Sequence, residues 1–247
     1  MTIFAAISDI HGNALALEAV LDDIKHLGII DIVNLGDSLS GPLEAGRTAD
    51  ILLELGLPTV RGNHDRALID RPFEAMADWE PPAFSQMRQA HFEWIRTLPE
   101  TLVYRDEIFL CHATPDDDNT YWMETVAADG LLHLRPIEEI EAFAEGQDYP
   151  LLLSGHTHIA RSVRLRDGRR LVNPGSVGCP GFDYGEPVYH KAEAGHPFAC
   201  YAVLEKVGGT WQPTFRQVAY DWDAAAAMAR EQGMADWASA LSTGWLR

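Results

Sequence analysis

Three short apolar runs, each stopped by a cluster of Gly, Asp, Asn or His, constrain this chain more than any other feature. Residues 3–8 end at Asp9-Ile10-His11-Gly12-Asn13, residues 30–35 at Gly36-Asp37, and residues 59–61 run into Gly62-Asn63-His64-Asp65. Between them Leu17, Val20, Leu21, Ile24 and Leu27, then Ile51, Leu52 and Leu55, recur at helical spacing. Each run therefore reads as a buried strand, and each periodic segment as a helix with one core-facing stripe. The opening is βαβαβ, and ligands of open α/β sheets bind outside the carboxyl ends of the strands.

The pattern returns further along. A loop and a helix are expected over residues 70–98, where Phe84, Met87, His91, Trp94, Ile95 and Leu98 keep helical period. A hairpin around Arg105-Asp106 ends at His112, Pro136 starts a helix reaching Phe143, and an apolar strand over 151–154 ends at Gly155-His156-Thr157-His158. Asp167-Gly168 and Gly208-Gly209 mark two more hairpins, and an Ala-rich helical tail begins near Trp222. No linker interrupts the chain, so one domain is expected over 1–247, with cap-like insertions around 70–98, 114–135 and 179–197.

Composition excludes several classes. The 247 residues carry 47% hydrophobic and 23% charged side chains, an ordinary globular mix able to bury a full core. A net charge of −18 argues against non-specific nucleic-acid binding and against anionic lipid. Cys111, Cys179 and Cys200 are odd in number and form no CxxC pair, which points to free thiols and a cytoplasmic location. The N-terminal apolar run is too short for a signal peptide, and no stretch approaches the ~18 apolar residues of a membrane span.

Taken together, the strand ends offer the carboxylates of Asp9 and Asp37, the amide of Asn63 and the imidazoles of His11, His112, His156 and His158. Mixed oxygen and nitrogen donors in that number exceed one tetrahedral zinc and suit two divalent ions, most simply Mn²⁺, with Fe, Zn²⁺ or Ni²⁺ as alternatives. Asp37 has two oxygens and could bridge them.

In this order the blocks Asp9-Ile10-His11, Gly36-Asp37, Gly62-Asn63-His64-Asp65, His112 and Gly155-His156-Thr157-His158 resemble the calcineurin-like metallophosphoesterases. Asn173-Pro174-Gly175-Ser176 also looks like the small bacterial phosphodiesterase branch. The resemblance implies a four-layer α/β/β/α sandwich with two mixed sheets. It implies one metal held by Asp9, His11, Asp37 and His158, and a second by Asp37, Asn63, His112 and His156. The implied reaction is in-line attack on phosphorus by water between the ions, on a small phosphodiester, nucleotide or dinucleotide polyphosphate. His64 would serve the leaving oxygen as an acid, with Asp65 orienting its ring. Arg61 and Arg161, which flank metal blocks, are candidates for a bidentate phosphate contact.

Gly36-Asp37-Ser38-Leu39-Ser40-Gly41-Pro42 lacks the Asp and Arg that follow G-D in phosphoprotein phosphatases, so that substrate is disfavoured; a phosphomonoester is the milder alternative. The letters Gly36-Asp37-Ser38-Leu39 also spell the signature of G-D-S-L serine esterases, but they follow the second predicted strand and no D-x-x-H lies near the C-terminus. A phosphoesterase fold retained as a scaffold or non-catalytic nucleotide sensor is the non-enzymatic rival, disfavoured because all seven ligand candidates and His64 are present.

Overall fold

In the computed structural model, which describes residues 3–186 and 188–247, the first apolar run forms β1 (Ile3–Ile7), and its side chains alternate between two cores. Phe4 and Ala6 enter one and Ala5 and Ile7 the other, all fully buried, as the period of a strand requires. A strand buried on both faces must be central. It pairs in parallel with β2 (Ile32–Asn34) and antiparallel with β12 (Ala199–Val207), and β13 (Thr210–Val218) closes the order β13-β12-β1-β2.

The second sheet has the order β3-β4-β7-β9-β8, from β3 (Thr101–Tyr104), β4 (Ile108–Cys111), β7 (Leu151–Leu153), β8 (Arg161–Arg164) and β9 (Arg170–Asn173). Its central strands β4, β7 and β9 run parallel, and both edges are antiparallel hairpins. Ile108, Leu110, Leu151, Leu153 and Val172 point inward against Phe4, Ala6, Val33, Leu35 and Trp211. Truncating one of these, such as Leu110→Ala, would cost about 2–5 kcal/mol.

Two helical layers complete the sandwich. α1 (Ala14–His26) and α2 (Ala45–Leu55) cover the first sheet through Leu17, Val20, Ile24, Ala49 and Leu52. α6 (Ile137–Phe143) covers Phe109, Leu152 and Leu171 on the outer face of the second. Asn13 joins motif to helix: its side chain caps α1 by accepting from the Ala16 N–H at 3.1 Å. The layer order is α/β/β/α, as the sequence motifs imply.

Three elements depart from the sequence reading. The third strand shrinks to one parallel bridge, Asn34 to Thr59, because Pro58 lacks an N–H and the chain enters α3 (Asn63–Asp70) at once. The helix expected before Leu98 is broken into α4 (Glu80–Gln86) and α5 (Gln89–Thr97), with extended backbone at Met87 and Arg88. His91 stabilises the break by accepting from the Arg88 N–H through Nδ1. Residues 114–135 and 179–197 also carry two hairpins that propensity does not announce, β5 (Glu124–Val126) with β6 (Leu132–Leu134) and β10 (Gly181–Tyr184) with β11 (His190–Glu193).

The tail is a helical pair, α7 (Trp222–Glu231) and α8 (Ala235–Thr243), packed on Leu43 through Ala225, Ala226, Ala229, Ala238 and Leu241. All three cysteines are free and buried. Among the described residues no helix is long and apolar enough to cross a membrane.

Candidate metal centre

Five strand-end segments converge at the carboxyl ends of the two sheets. Their backbones interlock first: the Asp9 N–H donates to Gly36 O and the His11 N–H to Asp37 O, each at 3.0 Å, while the Gly155 N–H donates to His112 O at 2.7 Å. Asp9, His11, Asp37, His156 and His158 all have positive φ, between 50° and 70°. They are five of the seven non-glycine residues in that conformation among the described residues. Each costs on the order of 1–3 kcal/mol, and such strain is retained where surrounding structure enforces a functional geometry.

The side chains form two adjoining groups. Asp9, His11 and His158 make one and Asp37, His112 and His156 the other, with potential ligand atoms in each within 4.8 Å of one another. Asn63 joins the second group, its Oδ1 lying 3.0 Å from His112 Nε2. Every imidazole has one nitrogen committed to a backbone carbonyl. His11, His112 and His158 use Nδ1, toward Ser40 O, Leu35 O and Cys179 O at 2.7–2.8 Å, and His156 uses Nε2 toward Asn119 O at 2.8 Å. Such contacts fix the orientation of each ring and turn its other nitrogen toward the centre, the support that metal-binding histidines commonly have.

This orientation creates a deficit that a cation answers. His11 Nε2 and His158 Nε2 face each other at 3.2 Å, tolerable only with a proton or a metal between them. Asp37 Oδ1 accepts from the His64 N–H at 2.8 Å, whereas its Oδ2 is buried without a hydrogen-bond partner. That Oδ2 lies 3.1 Å from His112 Nε2 and 4.0 Å from His11 Nε2, between the two groups.

The electrostatics agree. Burial and the neighbouring His158 push His11 down to about 3, and burial with His112 pushes His156 down to about 4. Despite burial, Asp37 lifts His112 to about 9, and Asp9 raises His158. Burial opposes ionisation of Asp9, yet His158 draws it down to about 2. Each group thus pairs one carboxylate with one imidazole whose basicity that carboxylate raises and one whose basicity burial lowers. The donor set fits a cation in each position.

Glycines permit the close approach. A Cβ on Gly62 would come 2.1 Å from Asp37 Oδ1, and one on Gly155 would come 2.8 Å from Asp9 Oδ2.

Other candidate residues have different settings. His64 lines the cavity above the centre, its ring centroid 5.2 Å from that of His11, and its Nδ1 has no partner. Asp65 does not orient it. At the third position of α3 its carboxylate turns back to the helix start, accepting from Ser38 N at 2.9 Å and Gly62 N at 3.2 Å. It thereby ties the Gly36-Asp37 turn to the Gly62-Asn63 turn, and burial beside Asp37 raises it to about 7. Arg61 and Arg161 do not line the cavity: each is spent on an ion pair, with Glu100 at 3.0 Å and with the buried Glu124 at 2.7 Å. Ser38 is fully buried, and its hydroxyl accepts from Asn34 Nδ2 at 3.0 Å.

The cavity measures about 760 Å³ and draws on residues 71–79, 119–135 and 179–186 and on the C-terminal tail. Its arginines are Arg71 and Arg135, which sequence reasoning missed. Arg71 is held at 3.0 Å by Glu80, itself fully buried. Arg135 donates to the carbonyls of Tyr121 and Glu124 at 3.0–3.1 Å.

An α/β/β/α sandwich whose strand ends assemble two adjoining histidine-carboxylate groups is the architecture of a metallophosphoesterase. The chain belongs to the calcineurin-like phosphoesterase superfamily, whose domain model matches residues 1–191. It is similar over 98% of its length to all of a metallophosphoesterase from Sphaerobacter thermophilus, with a TM-score of 0.74 and 26% identity. It is also 26% identical over 201 residues, 72% of this chain and 77% of the relative, to the uncharacterized protein MJ0912 of Methanocaldococcus jannaschii.

Proposed function

We propose that this chain is a binuclear metal-dependent phosphoesterase acting on a small phosphodiester, nucleotide or dinucleotide polyphosphate. The observation carrying this reading is the unpartnered Asp37 Oδ2, set between histidine nitrogens of both groups. Asp9, His11, Asp37 and His158 would hold one ion, and Asp37, Asn63, His112 and His156 the other. Manganese is the ion we propose, since mixed carboxylate, amide and imidazole donors suit a borderline cation.

When bound, two such ions neutralise phosphate oxygens and lower the pKa of water for in-line displacement. The chain's own groups supply the rest. Backbone carbonyls of Ser40, Leu35, Cys179 and Asn119 hold the imidazoles in register. Asp65 locks the turns that carry Asp37 and Asn63 against each other. His64, which lines the cavity but belongs to neither group, holds a proton for the departing oxygen. Arg71 and Arg135 line the cavity while already paired with carboxylates, Glu80 at 3.0 Å and Glu139 at 2.8 Å, so a phosphate would have to compete with those pairs for them.

Net charge and the three free cysteines support a cytoplasmic enzyme without non-specific nucleic-acid binding. The test is a metal-reconstituted screen against bis-p-nitrophenyl phosphate, p-nitrophenyl phosphate and dinucleoside polyphosphates. Hydrolysis should vanish with chelator and return with Mn²⁺. A metal-loaded protein inert toward every phosphoester would overturn the reading.

A further inference from the structure

The family model ends at residue 191, yet part of the cavity wall comes from Asp236, Trp237 and Leu246. α8 carries Trp237 back to His11, with ring centroids 5.9 Å apart at 72°. The half-buried indole lies beside the turn at Gly41, where a Cβ would come within 3.4 Å of its tip. Behind it the alanine-rich interface of α7 and α8 is buried, and the tail is tied down by Gly195 N to Gly244 O at 3.0 Å and Leu246 N to Glu193 Oε1 at 2.7 Å. Trp237 is thus a fixed aromatic surface beside the metal centre.

Two further rings border the same cavity, Trp79 at 6.2 Å from His64 and Phe182 at 4.7 Å from His158. Asp183, whose carboxylate accepts from the Tyr189 hydroxyl at 3.0 Å, and Asp236 also line this part of the cavity. Those carboxylates repel phosphate, so the part of a substrate that reaches this wall is its uncharged organic part. Aromatic faces hold a planar ring by stacking, and carboxylates accept from the exocyclic amino group of a base. The volume of about 760 Å³ far exceeds a phosphate with a small alcohol.

We propose that Trp237 forms a nucleobase subsite, which makes the substrate a nucleoside phosphoester bearing an amino-substituted base. This deepens the phosphoesterase reading and rests on it for the reaction, though base binding itself can be measured separately. The C-terminal helix pair, outside the matched family domain, is then the element that selects the substrate.

The test is calorimetric titration of AMP, ribose 5-phosphate and phosphocholine into the full chain, with and without Mn²⁺. Stacking one base on one aromatic ring is worth roughly 10- to 100-fold in affinity. AMP should bind at least about 10-fold tighter than ribose 5-phosphate, Trp237→Ala should collapse that ratio toward unity, and Trp237→Phe should keep most of it. Equal affinity for AMP and ribose 5-phosphate in the unaltered chain, or a preference for phosphocholine, would overturn the subsite whatever the variants do. If bis-p-nitrophenyl phosphate is still hydrolysed in that case, the phosphoesterase reading survives. Conversely, an AMP preference in a chain that cleaves no phosphoester would retain the subsite and remove the reaction.

Discussion

Gly62→Ala isolates the role of close approach at the metal centre. Gly62 has φ −89° and ψ 170°, a conformation open to any residue, so alanine meets no backbone penalty there. The added Cβ would lie 2.1 Å from Asp37 Oδ1 and 2.5 Å from the Asp37 backbone nitrogen. Such contacts are essentially never shorter than 3.0 Å, so the carboxylate must retreat by at least 0.9 Å. Because the nitrogen cannot swing aside as a side-chain tip can, the two turns must separate, straining the bond from the His64 N–H to Oδ1. A displacement of ~1 Å costs on the order of 10²-fold in rate, and overpacking costs about 1–3 kcal/mol of stability. Turnover of bis-p-nitrophenyl phosphate at saturating Mn²⁺, metal content and thermal unfolding measure these terms separately. Gly56→Ala is the control. At φ 58° it ends α2 with nothing within 4 Å of the new Cβ, so it should lose about 1 kcal/mol of stability and no activity. Wild-type turnover and full metal content in Gly62→Ala would refute the reasoning.

Asp37→Asn should abolish tight binding of both ions, whereas Asp9→Asn should weaken one; equilibrium dialysis against Mn²⁺ distinguishes the two, and an Asp37→Asn protein retaining both ions would remove the bridging assignment. His64→Ala should keep its metal and lose about 10²–10⁴-fold in kcat on esters with a basic leaving oxygen, with a smaller loss on p-nitrophenyl esters; an equal loss on both would make His64 a phosphate-positioning group. Ser38→Ala removes only a buried acceptor for Asn34 and should leave substantial phosphoester turnover; a loss of several orders of magnitude, or a covalent adduct on Ser38, would restore the serine-esterase reading.

Strand ends were legible because their signals are local. An apolar run must terminate somewhere, and the Gly, Asp and His residues placed there have no other common reason to recur in that order. The hairpin turn at Arg105-Asp106 was legible too, both residues adopting positive φ as a tight turn demands. What escaped depends on long-range pairing. Asp65 reads as a neighbour of His64, but helical geometry at position three turns it toward Ser38, 27 residues earlier. Arg61 and Arg161 sit beside metal blocks yet meet Glu100 and Glu124, while Arg71 and Arg135 reach the cavity from segments without a motif. Trp237 escaped most completely, because an alanine-rich amphipathic tail shows that it packs but not what it packs against. One signal was available: Ala225, Ala226 and Ala229, with Ala238 and Leu241 in a second segment, indicate two helices in close contact rather than a solvated tail.

The most direct test of two adjoining cation sites sharing Asp37 is the metal content of the fully active protein, titrated with Mn²⁺ while turnover is followed. Activity should rise with the second ion and saturate at two ions per chain. Full activity at one ion per chain, with no second site filling, would contradict the account.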